Sequence, residues 1–267
     1  MTFVHVSRRG AASWAVLDRP ERGNALGPEI ATELATWIER SGGDPTISCL
    51  VLGASGKAFC AGADVKATIA MVNRPDERRA FFADTDRLLR SFADVPVPVI
   101  AAVDGVAFAG GLELVLVLAC DVVVAGPNAR FGDLHLANGR IPAWGSAARL
   151  TGAVGHWRAS AALFLPQVFT ALEMQAAGLV AKVSAAGELD RDIDAMAEHF
   201  ADLDRHALRA MKELVVAQRM AEIGPLLELG AEHFRAFLAG PGMATLPPAF
   251  GLARQSGTSR NGSGDFQ

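Results

Sequence analysis

Short apolar runs alternate with stretches of helical periodicity through the first half of the chain. Runs of this length predict buried strands, the first two of them paired, at residues 3–6, 15–17, 49–52, 99–103 and 122–125. Apolar residues at helical spacing, or apolar stretches too long for a strand, predict helices at residues 28–40, 76–92 and 112–119. The order strand, glycine turn, helix occurs twice. It predicts an α/β fold with a site where strand ends meet helix starts.

The second half of the chain is predicted to be mostly helical. Helical spacing and a short last strand are expected, in chain order, at residues 170–177, 179–183, 189–203, 206–220 and 226–239. Residues 251–267 are rich in Gly and Ser, which predicts a flexible tail. We therefore expect a core over residues 1–190, a helical region over residues 191–250, and the tail.

Two glycine-containing turns, at residues 60–64 and 109–113, carry most of the chemical information. Both leave backbone N–H groups free for a ligand, and two such donors aimed at one point form an oxyanion hole. The second turn opens a helix, where the dipole favours developing negative charge. By itself, the first turn is better explained as a tight strand-to-helix connection with solvated charges around it.

Glu113 places a carboxylate in the first turn of an otherwise apolar helix. Burial there would raise its pKa, while the helix dipole would lower it, a balance that suits a general acid or base. The alternative is a first-turn glutamate that caps its helix. Cys60, beside the first turn, is interpreted as a buried structural thiol rather than a nucleophile.

Composition narrows the classes of protein. A chain of 267 residues that is 51% hydrophobic can bury one large core, and a net charge of −4 argues against nucleic-acid or anionic-membrane partners. Three cysteines without paired spacing fit a reducing compartment. No leader or membrane span is evident in the sequence, so a cytoplasmic location is expected.

Five segments, taken in order, resemble one known family. They are RPERGNAL at residues 19–26, AFCAGAD at 58–64, VIAAVDG at 99–105, GGLE at 110–113 and ARFG at 129–132. Together they make the chain similar to the enoyl-CoA hydratase/isomerase (crotonase) superfamily, from about Val4 to the helical tail.

The resemblance implies a ββα spiral with a C-terminal helical trimerisation region, assembled as a homotrimer or a hexamer. It implies an acyl-CoA substrate, with coenzyme A as part of the substrate and no separate cofactor or metal. The thioester oxygen would lie between the backbone N–H groups of Ala63 and Gly110. Residues expected along the adenine and pantetheine path are Ala61, Asp64 and Lys66, with Arg22 near the phosphates.

The main departure from the family is His135, which stands where the hydratases have a second catalytic glutamate. Glu113 and His135 are thus the predicted catalytic residues, since imidazole exchanges protons near pH 7. Asp133 is a possible substitute carboxylate, but strand alternation predicts that it points away from the face of His135. The favoured function is addition or elimination of water on a 2-enoyl-CoA.

Two other functions stay open at this point. Family members that cleave carbon–carbon bonds in β-diketones have His at the position of His135, which raises a hydrolase or decarboxylase acting on a β-dicarbonyl. They also use an aspartate where this chain has Trp144. A non-catalytic acyl-CoA-binding protein is the third possibility.

Three further features bear on the site. The helix between Glu113 and the Cys120-Asp121 pair is longer than the family pattern by about two residues, which would rotate the residues after it by about 200°. Near the C-terminus Ala253 stands where a CoA-contacting lysine is common, and Arg254 is a possible substitute. Phe234 is predicted to be a core aromatic, with the lining of a neighbour's CoA pocket as the alternative.

Overall fold

The computed structural model of the chain describes residues 2–71, 74–117 and 120–239. Its strands are β1 Val4–Arg9, β2 Ala12–Leu17, β3 Cys49–Ala54, β4 Ala58–Cys60, β5 Val99–Val103, β6 Val106–Phe108, β7 Val122–Ala125, β8 Arg130–Gly132, β9 Phe169–Thr170 and β10 Lys182–Val183. Its α-helices are α1 Pro28–Gly42, α2 Val65–Ala70, α3 Pro75–Asp94, α4 Gly110–Val117, α5 Ser146–Val154, α6 His156–Phe164, α7 Ala171–Ala176, α8 Leu189–Asp202 and α9 Arg205–Ala239. Short 3₁₀ turns lie at Pro20–Arg22 and Leu136–Asn138.

The strands form two sheets that the chain fills alternately. The first has the order β1-β2-β3-β5-β7-β10, and the second has the order β4-β6-β8-β9. β3, β5 and β7 belong to the first sheet, and the strands that directly follow them, β4, β6 and β8, belong to the second. Successive strands are parallel within each sheet along this path. Each turn of the chain thus adds one strand to each sheet, which confirms the predicted α/β spiral.

The central strands β3, β5 and β7 of the six-stranded sheet are buried on both faces, which explains their unbroken apolar runs. In β3, Leu50 and Leu52 point into the main core, while Cys49 and Val51 pack in a second cluster with Ile193 of α8. One face therefore meets the spiral interior and the other is covered by a helix from the second half of the chain. Among the described helices, none combines the length and the apolar character needed to cross a bilayer.

The second half differs from the prediction in two places: α5 and α6 form where no individual element is predicted, and two predicted helices are joined. The helices predicted at residues 206–220 and 226–239 are a single helix, α9, which continues through Pro225. Proline removes one backbone hydrogen bond but does not always end a helix, because packing on neighbouring elements can hold it. α9 packs on α5, and Phe234 near its end meets Phe82 of α3 with ring centroids 5.0 Å apart.

Some predictions lie outside the described residues. They concern the last part of the helix predicted at 112–119, whose described portion ends at Val117, and the two residues by which that segment exceeds the family pattern. The predicted tail at 251–267, with Ala253 and Arg254, also lies outside. The proposed boundaries at residues 190 and 250 remain predictions.

Candidate active site

The two glycine turns meet at one point. Leu26 donates its N–H to Gly62 O and accepts from the N–H of Asp64, both at 2.8 Å, so the intervening Ala63 N–H points away from Leu26. On that side lies Gly110, and a Cβ built on it would be 3.0 Å from Ala63 N. Gly110 is the first residue of α4, so its N–H lacks the carbonyl four residues back that an interior helical residue uses.

Close approach explains why glycine is needed in the second turn. A Cβ on Gly111 would lie 1.9 Å from Cys60 O, a collision with backbone that nothing nearby could relieve. A Cβ on Gly110 would also lie 3.0 Å from the Trp144 ring. Any side chain here would therefore push the two turns apart. Cys60 is fully buried, and burial raises the pKa of its thiol to about 12, so it is a structural residue as predicted.

The Glu113 side chain is 1% exposed and extends from α4 toward the segment that enters α5. Its Oε1 accepts from Trp144 N at 2.8 Å and from Ser146 N at 3.3 Å. Its Oε2 has no hydrogen-bond partner in the part of the chain that is described. Burial raises the pKa of this carboxyl to about 7, although the charge of His135 and the two hydrogen bonds oppose the rise. Glu113 therefore holds a proton that it can release near neutral pH.

The structure brings His135 next to Glu113. Its side chain is 11% exposed, its Nε2 lies 3.6 Å from Glu113 Oε2, and its Nδ1 lies 3.0 Å from Asp133 Oδ1. The prediction that Asp133 points away from His135 is wrong. β8 ends at Gly132, and Leu134 takes a left-handed φ of 55°, so strand alternation no longer applies between positions 133 and 135.

The pKa values of His135 and Asp133 depend on their burial and on their contacts with each other and with neighbouring groups. Burial by itself would lower the pKa of His135, but the hydrogen bond to Asp133 and the charges of Glu113 and Asp133 together raise it. Burial would raise the pKa of Asp133, but the His135 ring and the hydroxyl of Ser146 outweigh that effect and lower it. Asp133 is therefore ionised at neutral pH, and His135 is a better base than a free imidazole.

These groups share one cavity of about 70 Å³ with the glycine turns. Its lining residues are Ala63, Phe81, Phe82, Gly110, Glu113, His135, Arg140, Ile141, Ala143, Trp144, Phe234, Phe237 and Leu238. Five of the lining residues are Phe or Trp, and α9 closes one side of the cavity. Phe234 lines the pocket of its own chain, and Phe81, Arg140 and Phe237 are lining residues that sequence reasoning missed.

The residues predicted to contact coenzyme A lie near the first turn. Ala61 N donates to Gly23 O at 2.8 Å, which places the turn ending at Arg22 beside Ala61. Ala61, Arg22 and Lys66 are exposed, whereas Asp64 is buried. The Asp64 carboxylate accepts from Arg19 Nη1 at 2.9 Å and from the N–H of Ala67 at 3.1 Å.

Comparison with known proteins gives consistent results. The family model for enoyl-CoA hydratase/isomerase matches residues 12–239. A probable enoyl-CoA hydratase of Mycobacterium tuberculosis is 34% identical over 217 residues, which is 80% of this chain and 82% of that protein. A probable mitochondrial enoyl-CoA hydratase of Dictyostelium discoideum is 33% identical over 210 residues, covering 79% and 74% of the two chains.

Solved structures resemble the fold over nearly its whole length. An enoyl-CoA hydratase from Mycobacterium avium subsp. paratuberculosis superposes with a TM-score of 0.80 at 28% identity, over 91% of this chain and 97% of that one. An enoyl-CoA hydratase/isomerase from Pseudoalteromonas atlantica gives a TM-score of 0.81 at 28% identity, over 91% and 94%.

Proposed function

The chain belongs to the enoyl-CoA hydratase/isomerase family, and from that premise we propose that it is an enzyme that adds water to a 2-enoyl-CoA or eliminates it. One observation supports this most directly. A buried Glu113 carboxyl faces His135 Nε2 at 3.6 Å, in the same cavity as the backbone donors of Ala63 and Gly110. A proton-transfer pair beside two converging N–H groups is what enolate chemistry on a thioester requires.

The oxyanion hole of this proposal consists of the N–H groups of Ala63 and Gly110. The thioester oxygen would accept from both, and the charge that develops on it as the enolate forms would also meet the N-terminal end of α4. Coenzyme A would follow Ala61, Asp64 and Lys66, with Arg22 near its phosphates. The exposed positions of Arg22 and Lys66 fit this path.

Proton transfer in the hydration direction needs one base and one acid. Glu113, as carboxylate, takes a proton from water while the water oxygen bonds to the β carbon and the thioester becomes an enolate. The His135 imidazolium then gives its proton to the α carbon. Transfer of the Glu113 proton to His135 restores the starting state, and the 3.6 Å between Oε2 and Nε2 makes that step local.

Crotonyl-CoA tests the proposal. The wild-type protein should hydrate it, and Glu113→Gln should lower kcat by about 100- to 10,000-fold, because the amide cannot take a proton. The matched control is Glu33→Gln, whose carboxylate also accepts two backbone N–H groups but lies by β1. Absence of butyryl-CoA binding to the wild type in calorimetry would contradict the proposal.

Carbon–carbon bond cleavage in a β-dicarbonyl is the second candidate, because His135 is paired with an aspartate, Asp133. Incubation with a cyclic β-diketone distinguishes it: turnover of the diketone without turnover of crotonyl-CoA would favour this reaction. A wild type that binds butyryl-CoA but turns over neither compound would instead be an acyl-CoA-binding protein.

Assembly into a trimer or a hexamer is also part of the proposal. Large apolar side chains stand exposed on α6 and just after it, among them Trp157, Phe164 and Leu165. Apolar surface of this kind is usually covered by another protein surface. Light scattering should give the mass of a trimer or of a hexamer.

A further inference from the structure

Asp133 stands directly behind His135, on the side opposite Glu113. Its carboxylate is 1% exposed, and its two oxygens have different partners. Oδ1 lies 3.0 Å from His135 Nδ1, and Oδ2 accepts from Ser146 Oγ at 2.6 Å. The backbone N–H of His135 also donates to Oδ1, at 3.2 Å.

These contacts determine which nitrogen of His135 faces the reaction. An ionised carboxylate only accepts hydrogen bonds, so Nδ1 must carry a hydrogen when it bonds to Asp133. Nε2 is then the atom that takes up or gives away the mobile proton, and it is the nitrogen that faces Glu113. A buried imidazole between two carboxylates is better stabilised when it is protonated.

Ser146, the first residue of α5, connects the two carboxylates. Its hydroxyl donates to Asp133 Oδ2, and its backbone N–H donates to Glu113 Oε1. A displacement of Ser146 would therefore change hydrogen bonds of both carboxylates, Glu113 and Asp133, at once. The serine thus holds Asp133 in register with His135 and with Glu113.

We propose that Asp133, held by Ser146, is a positioning residue that fixes the His135 tautomer and keeps a proton on the imidazole, which leaves Glu113 as the base. The role in turnover rests on the proposed function, whereas the effect on the His135 ring does not. Other charges also act here: the charge of the Arg140 guanidinium lowers the pKa of His135, and the charge of Glu113 partly offsets the lowering of the Arg149 pKa by burial.

Asp192 of α8 supplies a matched control. It is also a buried aspartate that accepts from a serine hydroxyl, Ser184 Oγ, at 2.6 Å. Its second oxygen meets Lys182 Nζ at 2.8 Å rather than a histidine, and it does not line the cavity. Asp192→Asn therefore removes the same charge from the same kind of hydrogen bond, away from the site.

The first measurement is a titration of the His135 ring, observed by ¹⁵N NMR in histidine-labelled protein. The chain has six histidines, and the His135 signal is the one missing from His135→Gln. We expect Asp133→Asn to lower the His135 pKa and to release its tautomer, Ser146→Ala to lower the pKa less, and Asp192→Asn to change neither. A His135 titration and tautomer that are the same in wild type, Asp133→Asn and Ser146→Ala would overturn the proposal.

The second readout is turnover of crotonyl-CoA. Asp133→Asn should lower kcat by about 100-fold or more, with KM nearly unchanged, because a misplaced proton affects the chemical step and not ester binding. Ser146→Ala should lower kcat by about 10-fold, which corresponds to the net contribution of one hydrogen bond. If Asp133→Asn does not fold, Ser146→Ala decides by the NMR readout. A wild type without turnover would count against the proposed function, while the ring titration would still decide the role of Asp133.

Discussion

Two buried titratable side chains, Glu113 in the cavity and Lys212 in α9, are held in opposite ways. The Lys212 side chain is 4% exposed, and its ammonium has three acceptors: Phe92 O at 3.2 Å, Val97 O at 2.7 Å and Asp121 Oδ2 at 3.1 Å. A lysine ammonium has three N–H donors, so each finds an acceptor. Burial lowers the pKa of Lys212, and the charge of Asp121 opposes that shift.

Glu113 is more deeply buried and less well satisfied. The backbone N–H groups of Trp144 and Ser146 both donate to Oε1, whereas Oε2 has no hydrogen-bond partner within the described ranges and lies 3.6 Å from His135 Nε2. Burial accordingly raises its pKa to about 7. Lys212 and Glu113 thus show that burial of a titratable side chain does not by itself determine whether its role is structural or catalytic. Complete hydrogen bonding around Lys212 stabilises the fold, whereas incomplete hydrogen bonding leaves Glu113 able to change its charge.

The largest effect is expected at Lys212. Lys212→Met should lower the free energy of unfolding by about 3 to 5 kcal/mol, because it removes a buried ammonium, so that Asp121 loses its cation and the carbonyls of Phe92 and Val97 lose their donor. Urea denaturation measures this loss. The control is Lys182→Met, since Lys182 is 45% exposed and its pairing with Asp192 should be worth about 1 kcal/mol or less. Equal losses of stability in Lys212→Met and Lys182→Met would contradict the expected difference between a buried and an exposed lysine. Turnover by folded Lys212→Met should equal that of the wild type.

A smaller effect, of opposite sign, is expected at Glu113. Between its ordinary pKa of 4.5 and about 7, the folded protein binds a proton that the unfolded chain has released, so stability falls as pH rises. Glu113→Gln has no such proton. The stability of the variant relative to wild type should therefore grow by up to about 3 kcal/mol from about pH 5 to about pH 8.

Glu173 supplies the contrasting control for this measurement. Hydrogen bonds from the backbone and side chain of Thr170 lower its pKa, so its contribution to stability is present at neutral pH and is lost on acidification. Glu173→Gln should thus lose stability relative to wild type as pH rises toward the ordinary glutamate pKa of 4.5, and the difference should be constant above it. If the two glutamine variants showed pH profiles of the same sign, burial would not be the cause of the Glu113 shift.

Features encoded within a few residues could be predicted from the sequence. The two glycine turns, the carboxylate of Glu113 within an apolar run, and the position of His135 are recognisable there, and the structure brings all of them into one cavity. The alternating use of two sheets is implied by the family resemblance. The three-residue strands of the second sheet, such as β4, are too short to show periodicity.

Features that depend on distant or irregular backbone could not be predicted. The direction of Asp133 depends on the left-handed Leu134, which no pattern signals. The burial of Lys212 depends on carbonyls more than 100 positions away, at Phe92 and Val97. A lysine on a helix predicts solvent exposure unless those partners are known. The partners of Glu113, at Trp144 and Ser146, also come from a separate segment.

The smallest expected effect is the contribution of the Lys212–Asp121 ion pair itself to the free energy of unfolding. Asp121 also accepts from Val99 N at 2.8 Å, and an asparagine can keep that acceptor while losing the charge. Lys212→Met combined with Asp121→Asn should therefore be more stable than the sum of the two single losses predicts, by about 1 to 2 kcal/mol, because no charge is left uncompensated. Denaturation of the four proteins of this cycle gives the coupling. Strict additivity would mean that Lys212 acts through the Phe92 and Val97 carbonyls, and its contrast with Glu113 would then rest on hydrogen bonding and not on charge.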